Sequence, residues 1–151
     1  GDFEGDTVVG EKHKGALVTL VDRKSLFTLM KMLPSKHTAN VVQACVDLLK
    51  PVGALSVTFD NGKEFAAHMR LREAGIDTFF ADPYRSVQRA RNENTNGLIR
   101  QYLPKGCPFV GVSDDFVAKV QDALNHRPRK TLNWLTPTQV LSGKFNVALR
   151  G

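Results

Sequence analysis

The chain has 151 residues, 42% of them apolar, and carries a net charge of +6. That length suits one domain with a core of its own, and no apolar run approaches the ~20 residues of a membrane span, which argues against an integral membrane protein and for a soluble one. Cys45 and Cys107 stand far apart without a Cys-x-x-Cys pattern, which excludes a disulfide framework or cysteine zinc site and fits a reducing, cytoplasmic setting.

Four acids between Asp2 and Glu11 leave no basic start or apolar centre for a secretory signal. Phe3 to Val9 alternates as a strand does, with Gly10 breaking it. Asp6 falls in its middle, on one face with Glu4 and Val8, and an acid there must be solvated, paired or bound to a cation. Ala16 to Val21 is a nearly all-apolar second strand ending at Asp22-Arg23-Lys24-Ser25. Leu26 to Met32 reads as a third strand. The short polar connections suit hairpins, so these three predict an antiparallel meander.

From Thr38, expected as an N-cap, Val42, Cys45, Val46 and Leu49 recur at the spacing of an amphipathic helix, with Pro51 beyond. Ala54 to Phe59 then reads as a buried strand stopping at Asp60. Asn61-Gly62 supplies a tight turn, and a helix is expected from near Glu64 to Ala74, with Gly75 as its stop. A carboxylate on such a corner is rigidly aimed and reachable by a ligand, although an Asp-Asn-Gly also serves simply to begin a turn or cap a helix. Thr78 to Ala81 is a further short strand. Three hairpin-linked strands followed by helix, strand, helix and strand predict a mixed α/β sheet with helices on its faces.

Asp82 to Arg91 has neither period and reads as a loop with three arginines. A helix is expected from about Asn92 to Leu103, with Glu93, Asn96, Gly97 and Arg100 on one face and Leu98, Ile99 and Tyr102 on the other. Glycine inside a helix costs roughly 1 kcal/mol against alanine, which predicts a close approach at Gly97. Ser113 with Asp114 and Asp115 opens a helix with Phe116, Val117, Val120 and Leu124 as its buried stripe. Asn125 to Lys130 reads as a compact basic loop. Thr136-Pro137 opens a last helix expected to close at Gly143.

The charge is uneven along the chain. Residues 1 to 84 hold 10 Lys/Arg against 11 Asp/Glu, and residues 85 to 151 hold 11 against 4. Basic excess of this kind commonly neutralises phosphates, as it can also be a solvated surface. Asp6, Asp60 and Glu93 converge if their two strands are neighbours and the helix packs beside them. Hard carboxylate oxygens suit Mg²⁺ or Mn²⁺, and the lack of a His/Cys cluster argues against zinc.

Asp6, Asp60 and Glu93, the last following Asp60 by 33 residues, resemble the DDE triad of the retroviral-integrase superfamily. The segments Gly1 to Asp6, His13 to Ser25, Phe59 to Phe65, Asn92 to Gly97 and Asn125 to Leu132 resemble, in the same order, transposases of the insertion-sequence-thirty family. The similarity covers nearly the whole chain. It departs at Val87, where a Trp is expected, at Ala90 and Arg91, where a Gly and a small polar residue are expected, and at Asn133 and Trp134, where a Gly-Tyr pair is expected. All three acids remain.

The resemblance implies an α/β, ribonuclease-H-like mixed sheet of three antiparallel plus two parallel strands flanked by helices. It implies one catalytic core domain over residues 1–151, without the N-terminal helix-turn-helix region with which the family reads transposon ends. Two Mg²⁺ (or Mn²⁺) ions per site, held by Asp6, Asp60 and Glu93, would serve DNA cleavage and strand transfer, with Asp60 as the residue bridging both and Asn61, Lys63 and Glu64 as buttresses. Implied partners are double-stranded DNA, as transposon ends and target, and further copies of the chain in a homo-oligomer. A bacterial, nucleoid-associated cytoplasmic location follows. Lys63, Arg89, Arg91, Asn96, Arg100, Arg127, Arg129 and Lys130 are the candidate DNA contacts. A simple ribonuclease-H-type nuclease and a non-catalytic DNA-binding or assembly module of the same fold are the alternatives.

Overall fold

The computed structural model describes residues 1–60, 68–81 and 90–150, with side chains throughout these except at 13, 38, 90–93 and 144–150. Its strands are β1 (Asp2–Val9), β2 (Ala16–Asp22), β3 (Thr28–Leu33), β4 (Ser56–Phe59) and β5 (Asp77–Phe80), in the sheet order β3-β2-β1-β4-β5. The first three form the expected meander, β2 pairing antiparallel with both β1 and β3. β4 joins β1 in parallel and β5 joins β4 in parallel. Each of these parallel steps needs a crossover, and α1 (Thr38–Leu49) and α2 (Met69–Glu73) lie in the two connections. α3 (Ala90–Ile99), α4 (Asp114–Asn125) and α5 (Pro137–Arg150) complete the chain.

β2 explains why the sheet is covered on both faces. All seven of its residues are buried, so its continuous apolar run has no solvent side, and helices must pack above and below it. One core joins Phe3, Val18, Leu20, Val57 and Phe59 to Val41, Cys45 and Leu49 of α1 and Leu71 of α2. The other joins Val8, Leu17 and Met30 to Ile99 of α3 and Val117, Val120 and Leu124 of α4. Full burial of a side chain such as Leu17 or Leu20 contributes about 1.5–3 kcal/mol. Burial also pushes the Cys45 thiol up to about 12, which makes that cysteine a small core hydrophobe.

β3 is an edge strand, and α4 closes it with side chains. Asn125 Oδ1 accepts from Thr28 N at 2.8 Å while its Nδ2 donates to Thr28 O at 2.9 Å. Gln121 Oε1 accepts from Met30 N at 2.8 Å. Asn125 is therefore a buried helical residue rather than part of a basic loop. Its amide stands in for the neighbouring strand that an edge lacks.

Several sequence expectations are corrected locally. β3 starts at Thr28, two residues late, because the preceding residues close a turn: Asp22 Oδ2 accepts from Ser25 N at 2.8 Å, and Leu26 takes a positive φ of 61°. His37, not Thr38, is the N-cap of α1. α3 begins at Ala90, within the expected loop, and ends at Ile99. Phe116 is exposed, leaving Val117, Val120 and Leu124 as the stripe of α4. The Ser113 cap holds, its hydroxyl accepting from Phe116 N at 3.1 Å. Thr136 caps α5 as expected, with Gln139 N donating to its Oγ1 at 3.1 Å and Thr136 N donating to Gln139 Oε1 at 2.8 Å. α5 continues through Gly143 to Arg150. The part of the helix expected from Glu64 that precedes His68 lies outside the described residues.

Candidate active site

The site begins with strand register. Glu4 of β1 pairs with Thr58 of β4 in parallel, two residues before Asp6 on one strand and two before Asp60 on the other, so the register continued past the end of β4 at Phe59 would set the two acids level. Two residues preserve the face, so Asp6 lies on the side of Glu4, and the strand continued by one residue would bring Asp60 to the side of Thr58. Phe59, between Thr58 and Asp60, points to the opposite side and is 1% exposed.

Gly5, between Glu4 and Asp6, makes room for that phenyl ring. A Cβ at position 5 would lie 2.4 Å from Cε1 and 2.7 Å from Cδ1 of Phe59. Gly5→Ala is expected to cost about 1–3 kcal/mol in a denaturant melt, because a ring this buried cannot yield without disturbing its neighbours. A variant as stable as the parent would show that Phe59 does not fix the level of β4 against β1. Gly97, by contrast, has nothing within 4 Å of an added Cβ among the described residues, so the expected close approach there is absent.

Asp6 is held on two sides. Its Oδ1 accepts from Thr7 N at 2.8 Å, and its Oδ2 accepts from Asn96 Nδ2 of α3 at 3.0 Å. Thr19 Oγ1, across the β1/β2 pair, donates at 3.4 Å to Asn96 Oδ1, which orients the amide. Asn96 lies three residues after Glu93, hence on the same helix face. The bond from Asn96 to Asp6 thereby fixes the backbone of Glu93 one turn away. The Glu93 side chain lies outside the described residues.

Beside this pair runs a second polar column on the same sheet face. Glu4 is 1% exposed, and Arg23 Nε lies 3.4 Å from its Oε1 while Arg23 Nη2 donates to Thr58 Oγ1 at 3.3 Å. Sequence reasoning placed Glu4 on the face of Asp6 but gave no role to Thr19 or Arg23. The signal was the single Arg after β2, which must meet whatever buried acid faces it.

Metal fit can be judged on the donors present. Asp6 and Asp60 supply hard oxygens, and each carboxylate oxygen has a second lone pair beyond any hydrogen bond it accepts. Among the described residues no three His, Cys, Asp or Glu side chains come together as a metal set. The Glu93 side chain, the third expected ligand, lies outside the described residues.

Of the candidate DNA contacts, Lys63 and Arg89 lie outside the described residues, as do Asn61 and Glu64, and Arg91 has only its backbone within them, in α3. Asn96 is engaged by Asp6. Arg100 Nη1 donates to Leu103 O at 3.3 Å, and its guanidinium lies 5.8 Å from the Phe109 ring centroid. Arg127 donates to Gln101 Oε1 at 3.1 Å, and Arg129 to Leu124 O at 3.1 Å. Lys130 is exposed in a 3-10 turn, Lys130–Leu132.

No protein-family model matches the chain. It is 43% identical over 142 residues to the transposase for insertion sequence element IS4351 of Bacteroides fragilis, a match covering 92% of this chain and 44% of that protein. It is 40% identical over 145 residues to the transposase InsI for insertion sequence element IS30A of Escherichia coli strain K12, covering 93% and 38%. The transposase for IS1086 of Cupriavidus metallidurans is 40% identical over 146 residues, covering 94% and 43%. The chain thus spans less than half the length of these relatives. Among solved structures, the catalytic core domain of BIV integrase matches with a TM-score of 0.69 at 18% identity, over 98% of this chain and 97% of that one. A chain of the simian T-cell lymphotropic virus intasome in complex with PP2A regulatory subunit B56 gamma matches with a TM-score of 0.74 at 17% identity, over 93% and 53%. The five-stranded mixed sheet with its helices is the ribonuclease-H-like fold of integrase catalytic cores.

Proposed function

We propose that this chain, whose homologues are insertion-sequence transposases of the IS30 family, is a metal-dependent catalytic core that cleaves DNA strands and joins a 3′-hydroxyl to a target. The observation that carries the reading is the parallel pairing of Glu4 with Thr58, each two residues before an acid of the set, with α3 bonded to Asp6 through Asn96 one turn after Glu93. Asp6, Asp60 and Glu93 would hold two divalent ions. When bound, Mg²⁺ or Mn²⁺ would supply activation of the attacking oxygen and neutralisation of charge on the leaving oxygen.

The chain's own residues do the positioning. Thr7 N and Asn96 clamp both oxygens of Asp6, which holds the carboxylate in one orientation. The parallel pairing of Glu4 with Thr58 supports placing Asp60 beside it. Preorganisation of this kind removes reorganisation cost at the moment of reaction. Double-stranded DNA, as transposon ends and target, is the proposed substrate, and a homo-oligomer the proposed working assembly.

A Mg²⁺- or Mn²⁺-dependent assay on end-containing duplexes tests this. Strand-transfer product supports the transposase reading, whereas hydrolysis alone supports the nuclease alternative and neither product leaves only a binding module. DNA binding by the 151-residue chain is expected to be largely sequence-independent. With two or three phosphate contacts its affinity should fall roughly 10- to 50-fold between 50 and 200 mM salt. Fluorescence anisotropy checks this, and tight binding that ignores salt would contradict it.

A further inference from the structure

Between α4 and α5 the backbone does something its residue types disfavour. Asn133 and Trp134, in succession, adopt the left-handed region with φ of 54° and 67°. That region is uncommon for any residue with a Cβ and an outlier for a bulky aromatic. The conformation is held from within the loop. Arg129 N donates to Leu135 O at 3.0 Å, Trp134 N to Arg129 O at 2.9 Å and Asn133 N to Lys130 O at 3.1 Å. The Arg129 guanidinium turns inward to Leu124 O at 3.1 Å and anchors the loop to the end of α4. All this keeps the chain's one tryptophan out of the core, 67% exposed. Strain that holds a large apolar side chain in solvent contributes nothing to packing, and such strain gathers where a ligand is met.

The surrounding charge selects the ligand. Arg127 and Lys130 are exposed on the same loop. Arg127 lies close enough to Arg129 that its positive charge, after burial, holds that guanidinium below its usual range. Asp122, the nearest acid in sequence, faces His126 Nδ1 at 3.3 Å. Exposed cations on the loop that presents the indole match a strand in which phosphates alternate with aromatic bases.

We propose that this loop is a stacking site for an unpaired DNA base, with Trp134 as the platform and Arg127 and Lys130 at the flanking phosphates. It rests on the reading that the chain acts on DNA, but it lies on the loop after α4 and needs neither the carboxylates nor a metal.

Because Trp134 is the only tryptophan, its emission reports on this loop alone. The 151-residue chain, in chelator, is titrated with a labelled oligothymidine and with a blunt duplex, following anisotropy and tryptophan emission together. Expected is quenching that saturates with binding and is larger for the single strand. Trp134→Ala should weaken single-strand binding roughly 5- to 150-fold, and Trp134→Phe should restore most of it. Asn133→Gly, which frees the backbone and keeps the ring, should stay within twofold. Binding with unchanged emission overturns this inference alone, whereas no binding to either DNA overturns the DNA reading as well. Equal or greater quenching by intact duplex overturns the assignment to an unpaired base. A Trp134→Ala variant that binds DNA normally but changes its sedimentation makes the loop a protein contact and overturns it too.

Discussion

Asp60→Asn is expected to lower metal-dependent DNA cleavage roughly 10³-fold or more, the scale on which losing one group aimed at developing charge acts, while the fold survives. Asp60 follows β4, half-buried at the sheet's end, and belongs to neither apolar core. Glu93→Gln should behave alike if its carboxylate completes the set. Stability supplies an independent readout. Carboxylates about 5 Å apart repel by roughly 3 kcal/mol at an effective dielectric near 20, so removing one charge should leave the metal-free protein at least as stable. A ligand bound only by the folded state adds about 2.7 kcal/mol at a hundredfold excess over its Kd, so Mg²⁺ or Mn²⁺ should raise the parent's Tm and raise the mutant's far less. Melts in chelator and across a divalent titration, beside the cleavage assay, decide the matter. Retained cleavage, or equal metal shifts in both proteins, would rule out a shared carboxylate site containing Asp60.

Asn125→Ala should be among the most destabilising single changes in the chain. The side chain is 3% exposed and satisfies both the N–H and the C=O of Thr28 on the sheet edge. Truncation leaves two buried backbone groups without partners at about 1–3 kcal/mol each, so a loss of about 2–5 kcal/mol is expected, with a Tm lower by roughly 5–15 °C. Gln121→Ala, which releases only Met30 N, should cost about half as much or less. Were Asn125 a surface loop residue, the change would stay within about 0.5 kcal/mol, and thermal melts distinguish these easily.

Much of the architecture was legible because it is written in local pattern. The nearly all-apolar run of β2 required cover on both faces, the 3.6-residue spacing from Val42 to Leu49 required α1, and Ser113 and Thr136 marked true helix starts. Where local signals competed, the pattern misled. Leu26 looked like strand but was drawn into the Asp22 turn, and Gly143 looked like a stop but is carried inside α5. Phe116 sat at stripe spacing, yet in the first turn of α4 it is 39% exposed while Val117 beside it is buried.

The sequence by itself determined the order and type of the elements, the three acids and the basic second half, since each depends on residue identity over a few neighbouring positions. Only the tertiary structure decided that β4 lies against β1 rather than on the far side of the meander. It alone set the parallel register of β1 against β4, in which Asp2 pairs with Ser56, 54 residues further along the chain. It alone showed why residue 5 is glycine, which residue orients Asp6 and what closes the edge of β3. Strand register and the burial of a polar side chain are settled by hydrogen bonds and packing between segments distant in the chain. No window of sequence contains both partners of such a contact, so its energy appears only once the sheet has formed.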